Sequence, residues 1–447
     1  MRSATTPGPQ LREVAIARSD RRHLWLLALC LTALYLLIRV PWLLTVPGSE
    51  APDEPNHLWV AQFLREHWRL PTAQEVFAAG TPAEYGPLPQ FGYIPHVIIG
   101  LASPVQIFPS VSRWGTLLAG LPTLWISIVL GRELFGPGRF LAIALPLLVL
   151  IHPQLVFTQT YTNSDATVVS LTSAAIYLVV LSIRSGLTAP RIVLTGLLLG
   201  LAALSKHTSL ALVPPVFAGL TAGAILNGAT LPQALLQMIP VALVFATTCG
   251  WYYIRNYFEY NGDWLGSQTM DRIWLQILPT DGGQVVRPWP AVSKLAWWRY
   301  VFFDFWGLFG YMNRYLWRPL YLLLLALSAA ATAGWLQSLK ELPAAFQHRS
   351  GDVRSTGSRE QIKNRFVWLF LASCALLNFA AVICVTLGNV SGPHGRYLFP
   401  SELPIMALLL AGLSRLGPRA ERVLVSALIL VCAAGTISGW SVYYWPR

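Results

Sequence analysis

Runs of about 20 apolar residues recur along the whole chain, separated by short polar or basic stretches. A helix needs that length to cross the hydrocarbon core of a bilayer at 1.5 Å rise per residue. The pattern predicts spans at 24–44, 113–131, 139–157, 165–183, 191–205, 207–226, 232–250, 315–336, 366–388, 400–416 and 421–441. The expected fold class is an all-α polytopic membrane protein with about eleven transmembrane helices. The segment 91–108 is also apolar, but Pro95 and Pro104 interrupt it, which suits a re-entrant or surface-lying helix. The organisation that follows is a tail over 1–23, the first span at 24–44, and an outer loop over 45–112. Spans two to seven fill 113–250, an aromatic-rich outer region covers 251–314, and 315–447 holds the last spans with a linker near 337–365.

Composition supports the membrane reading. Of the 447 residues, 54% are hydrophobic and 12% charged, against a charged fraction of about 25% in soluble domains. The first run does not read as a cleaved signal peptide. It is long, lacks a small-residue cleavage site, and carries Arg39 and Pro41 near its outer end. The net charge of +12 is spread over loops, which fits anionic lipid head groups and not nucleic acid. Arg18, Arg21 and Arg22 precede the first span, and Arg132, Arg139, Arg184 and Arg191 sit in tight connections. Lys340, Arg349, Arg354, Arg359, Lys363 and Arg365 fill the longest polar stretch, and Arg415, Arg419 and Arg422 the last hairpin. One assignment places all of them on the cytoplasmic side with the N-terminus, provided 91–108 does not cross. The setting it implies is a membrane crossed many times, with the N-terminus on the cytoplasmic side. Gln347–Gln361 reads as a flexible cytoplasmic linker. The five cysteines lie in or beside apolar runs without CxxC spacing, so they read as small apolar residues rather than metal ligands or disulfides.

Candidate chemistry starts just after the first span, at Ala51-Pro52-Asp53-Glu54-Pro55-Asn56-His57. Two adjacent carboxylates and an imidazole stand beside the bilayer, bracketed by prolines that predict a stiff turn. One reading is a general base presented at the lipid surface. The other is a helix N-cap, with Asp53 or Asn56 capping the stretch from His57 to Trp68. On the topology above, further ionisable groups reach the same outer face, where lipid rarely tolerates them without a use. Asp165 closes the turn Tyr161–Asp165, either as a site residue or as an acid favoured by the helix dipole. Lys206-His207 separates two apolar runs, and a cation at that depth suits a lipid phosphate, with a snorkelling lysine as the structural alternative. His394 and Arg396 stand in a glycine-loosened loop at the start of another span, where Arg396 can clamp a second phosphate oxygen. Asp53, Glu54 and Asp165 have the donor type to share a divalent cation, although no clear metal cluster is visible and no cofactor is certain. The tryptophans of the two outer regions read chiefly as an interfacial belt, with a carbohydrate or lipid surface as the sharper alternative. Gly196 and Gly200 are spaced for close helix contact.

Four segments carry a resemblance. Pro52–His57 (PDEPNH) is similar to an acidic motif after the first span, and Glu84–Leu88 (EYGPL) to a "PPLYY" segment. Gly200–Thr208 (GLAALSKHT) is similar to "GLALLTKYT", and His394–Pro400 (HGRYLFP) to "GRYLLP". In these residues and their order, the chain resembles the GT-C superfamily of polytopic glycosyltransferases. The resemblance is strongest to glycosyltransferase family 39, the protein O-mannosyltransferases and the lipid A aminoarabinose transferases, and it covers nearly the full length. It implies a GT-C-like helix bundle with juxtamembrane helices in the first outer loop, a polyprenyl-phosphate-linked sugar donor, and inversion at the anomeric centre. By motif match, Asp53 would be the catalytic base and Glu54 would support it or contact the acceptor. Lys206 would hold the donor phosphate with help from Arg396, while His57, Asp165 and His394 would bind substrate beside them. Gly86 departs from the pattern, where a proline is usual. The sugar and the acceptor (glycan, lipid or protein) stay open.

Three other readings compete. A transporter or flippase of lipid-linked saccharides also needs outward cations and a greasy cavity, but predicts charges along a path and often an internal repeat, which the chain lacks. A saccharide polymerase or ligase relies on outer arginine and histidine without needing the Asp-Glu pair. A non-catalytic scaffold does not require Asp53, Lys206 and Arg396 on one face.

Overall fold

The computed structural model describes residues 9–48, 50–278, 280–281, 284–285, 289–340, 356–388 and 392–445. The protein is a multi-pass bundle of helices, and its strands among the described residues are two-residue pairs. Every predicted span falls on helical structure, although 139–157 is divided between two helices. Among the described residues nine helices are long and apolar enough to cross a membrane, so the expected count of about eleven is not reached by length. The two short ones are Phe140–Ile151, 12 residues, and Ala189–Ser205, 17 residues. Pro153 supplies no N–H and ends the first at His152, after which the chain resumes as Pro153–Thr158. Lys206 leaves the second in an extended conformation.

The interrupted segment behaves as its prolines require. It folds into short pieces, the longest being the 7-residue helix Ile94–Gly100, which is too short to cross. The juxtamembrane helix Glu54–His67 packs on it through Val60, Ala61, Leu64, Tyr93 and Val97. The linker expectation needs correction. Residues 341–355 lie outside the described residues, but the helix Thr356–Gly388 already runs through 356–361. Gly196 and Gly200 do seat one helix on another: a Cβ would lie 2.8 Å from the Val241 carbonyl oxygen and 2.6 Å from Thr248 Cβ of the helix Leu231–Glu259. An interfacial belt accounts for only part of the aromatic side chains of 251–314. On the helix Leu295–Trp306, Trp297, Phe305 and Trp306 are buried in the bundle core, whereas Trp298 is exposed.

Arg39 explains how the break at Pro153 is tolerated inside the bundle. Val149 is four residues before Pro153, so its carbonyl has no helical donor. The fully buried Arg39 guanidinium donates to the carbonyls of Leu150 (2.9 Å) and Val149 (3.3 Å) and to Gln159 Oε1 (2.7 Å), and lies over the Tyr35 ring. A buried carbonyl left unpaired costs about 1–3 kcal/mol. Arg39→Met is therefore expected to lower unfolding stability in detergent by about 2–4 kcal/mol. A shift within about 0.5 kcal/mol, the range of neutral surface changes, would contradict this role.

Candidate active site

The acidic cluster starts a helix instead of sitting in a turn. Pro55 occupies the first turn of Glu54–His67, where a missing N–H is not needed. Asp53 takes the N-cap position with φ 58 and makes no capping bond with its side chain. Asp53 thus stands at the N-cap, but its side chain caps nothing and is used elsewhere. Asp53 Oδ2 accepts from Arg396 Nη2 at 2.7 Å. The same guanidinium donates through Nη1 to the Tyr161 hydroxyl at 2.9 Å. These contacts join three segments far apart in sequence: the loop after the first span, the turn before the helix Asp165–Ser185, and the turn Gly395–Ser401.

Lys206 and Asp165 form the second ion pair, through Nζ and Oδ1. The break after the helix Ala189–Ser205 releases Lys206 there, and Asp165 begins the neighbouring helix. The ammonium also stands 5.0 Å from the centre of the Tyr397 ring. Asp165 is held by its own turn, where Asn163 Oδ1 accepts the Asp165 N–H at 2.8 Å.

Asp53, His57, Asp165, Lys206, His394 and Arg396 line one cavity of about 340 Å³ at one end of the bundle. This brings together the expected site residues except Glu54. Glu54 is 1% exposed and outside the lining. Its oxygens accept from Arg113 Nε at 2.8 Å and Nη2 at 2.6 Å, and from the Thr162 N–H at 2.9 Å. Arg113 also donates to the carbonyls of Leu43 and Val46 at the end of the first span. Asp53, Glu54 and Asp165 do not converge, because each meets a different cationic side chain. Among the described residues no group of three or more His, Cys, Asp or Glu side chains has the arrangement of a metal site.

Burial tunes the other titratable groups. Glu84 lines the cavity, accepts from Asn56, and is pushed up to about 8 by burial and then by the charge of Asp53. Its carboxyl is therefore largely protonated at neutral pH. His57 and His394 are held well below the ordinary imidazole range, first by burial and then by the Lys206 and Arg396 charges. Both are neutral at pH 7, and His57 Nδ1 is 2.5 Å from the Tyr93 hydroxyl. The cavity thus sets the ion pairs Asp53–Arg396 and Asp165–Lys206 beside the neutral imidazoles of His57 and His394.

The solved structure of ArnT from Cupriavidus metallidurans in the apo state superposes over 94% of this chain, with a TM-score of 0.55 and 15% identity. The chain has the GT-C fold. A second structure of that ArnT, bound to undecaprenyl phosphate, matches over 93% of the chain with a TM-score of 0.51 and 15% identity. The chain spans 65% of ArnT's length in both. The dolichyl-phosphate-mannose-protein mannosyltransferase family matches residues 108–253, which run from the helix Phe108–Phe135 into the helix Leu231–Glu259. No curated protein matches the sequence.

Within this GT-C frame, several site residues carried little sequence signal. Arg113 stood only at a loop end, and Glu84 only inside a motif. Tyr161 belonged to the polar turn before Asp165 that sequence singled out, but nothing there foretold its bond to Arg396. Asp304 stood only as one charge along the region 251–314 and Gln154 had no pattern at all, since their partners lie more than a hundred residues away or on a different helix.

Proposed function

We propose that this chain is an inverting glycosyltransferase acting on a polyprenyl-phosphate-linked sugar at the outer face of a bacterial cytoplasmic membrane. The observation that carries the reading is the pairing of Asp53 with Arg396 in the same cavity as Lys206. Asp53 accepts the proton of the acceptor hydroxyl. The oxygen then attacks the anomeric carbon from the face opposite the phosphate, the carbon–oxygen bond to the phosphate breaks, and its electron pair leaves with the phosphate. Lys206 and Arg396 stabilise the charge that develops on that leaving group. Their carboxylate partners keep both cations poised in a low-dielectric setting, where an unpaired charge is costly. Glu54 does not touch substrate in this scheme. With Arg113 it fixes the start of the helix that presents Asp53. No step requires a metal, and the acceptor is a hydroxyl of a glycan, lipid or protein.

Lys206→Ala tests the phosphate assignment. Loss of a charge-assisted contact is worth about 1.5–3 kcal/mol, so undecaprenyl phosphate should bind about 10- to 100-fold more weakly. Acceptor KM should change far less. Equal loss of donor and acceptor affinity would count against the assignment.

A further inference from the structure

We infer that Asp304 is a positioning residue that aims Arg396 at Asp53 and the lipid phosphate by clamping the turn that carries it. The aim at a lipid phosphate rests on the function proposed above; the clamp itself is geometry. Asp304 lies in the last turn of the helix Leu295–Trp306, is 1% exposed, and lies outside the cavity lining. Its Oδ2 accepts the backbone N–H of Arg396 at 3.0 Å. Its Oδ1 accepts from Gln154 Nε2 at 3.2 Å, and Gln154 Oε1 in turn takes the Leu308 N–H at 2.7 Å. Both carboxylate oxygens are thus spent on placing the backbone of one turn against the break at Pro153.

Two further features fix the same turn. At Gly395 a Cβ would lie 2.1 Å from the Val301 carbonyl oxygen and 2.2 Å from the Phe305 nitrogen, so the turn is pressed directly onto the Asp304 helix. At its far end, Glu402 meets the His152 imidazole at 2.8 Å, fully buried. Both ends are therefore tied to the His152–Gln154 break, and Arg396 projects from between them. Burial pushes Asp304 up to about 6, so holding an acid here is unfavourable in itself. Filling the space would be cheaper with an apolar side chain. A carboxylate instead offers acceptors to two donors from separate elements.

The test is a double-mutant cycle of Asp304→Ala and Arg396→Ala, read both as undecaprenyl phosphate binding and as sugar-transfer turnover of the full-length protein. Alone, Asp304→Ala should weaken each readout about 10- to 100-fold, the scale of an ångström misplacement. In the Arg396→Ala background it should change neither by more than about 2-fold, because it acts through that side chain. Gly395→Ala, which displaces the turn by sterics alone, should show the same dependence on Arg396, and Asp304→Asn, which keeps both acceptor and size, should recover part of the loss. Independent, multiplicative losses would overturn the inference, as would an Asp304→Ala protein that is merely less stable but fully active per folded molecule. If Asp304→Ala does not fold, the Gly395→Ala cycle decides alone. Should the wild type bind undecaprenyl phosphate yet transfer nothing, the proposed function fails while the cycle is still read in binding.

Discussion

Asp53→Asn is expected to lower sugar transfer by about 10²- to 10⁴-fold while the protein inserts and unfolds much as the wild type does. The amide matches the carboxylate in size and can still accept from Arg396 Nη2, which the carboxylate holds at 2.7 Å. It cannot take a proton from an incoming hydroxyl. Binding of undecaprenyl phosphate should therefore survive the change, because Lys206 and Arg396 remain in place. Steady-state turnover beside a detergent-unfolding midpoint separates the two effects. Residual transfer above about a tenth of wild type would be less than the usual contribution of a general base, and Asp53 would lose that role.

The second large effect concerns its neighbour. Arg113→Met strands Glu54, a carboxylate 1% exposed, without its cation. Removing one member of a buried pair costs about 3–5 kcal/mol, which is a large share of a typical domain's stability. The double change Glu54→Gln with Arg113→Met should regain part of that loss, since the amide no longer buries an unpaired charge. Glu54→Gln alone should keep most of the turnover per folded molecule. Unfolding midpoints and specific activities of the three variants check this. A stable, inactive Glu54→Gln protein would return Glu54 to the chemistry and contradict its structural assignment.

These adjacent acids show where sequence stops being informative. PDEPNH marks a site after the first span, but it does not say which carboxylate faces the cavity. The answer depends on the helix beginning at Glu54, which leaves Asp53 at the cap with a left-handed backbone and turns Glu54 towards Arg113. The spans were readable because apolar length is a local property. Their count was not, because Pro153 ends the helix Phe140–Ile151 inside what reads as one continuous run, and Ala189–Ser205 stops at 17 residues where Lys206 turns extended. Arg39 stood out as a charge near the end of a span, and its purpose follows only once Val149 and Leu150 are seen beside it. Lys206, Arg396 and Asp165 could be gathered by counting crossings, which placed them on one face. Their actual pairing, Lys206 with Asp165 and Arg396 with Asp53, needs the fold. The tryptophans of Leu295–Trp306 misled for a related reason: aromatic richness at a membrane boundary looks the same whether the rings meet lipid or, like Trp297 and Trp306, fill the core.

The central claim is that Asp53, Lys206 and Arg396 cleave a sugar from a lipid phosphate. The most direct test is the purified protein in detergent with a panel of radiolabelled polyprenyl-phosphate sugars, wild type beside Asp53→Asn, scoring release of the sugar and the configuration of the product. The account predicts release with inversion by the wild type for at least one sugar, and loss of that release in the variant. Tight donor binding by both proteins with no bond cleaved for any sugar, together with movement of the intact lipid-linked sugar across vesicles, would contradict it and make the chain a carrier.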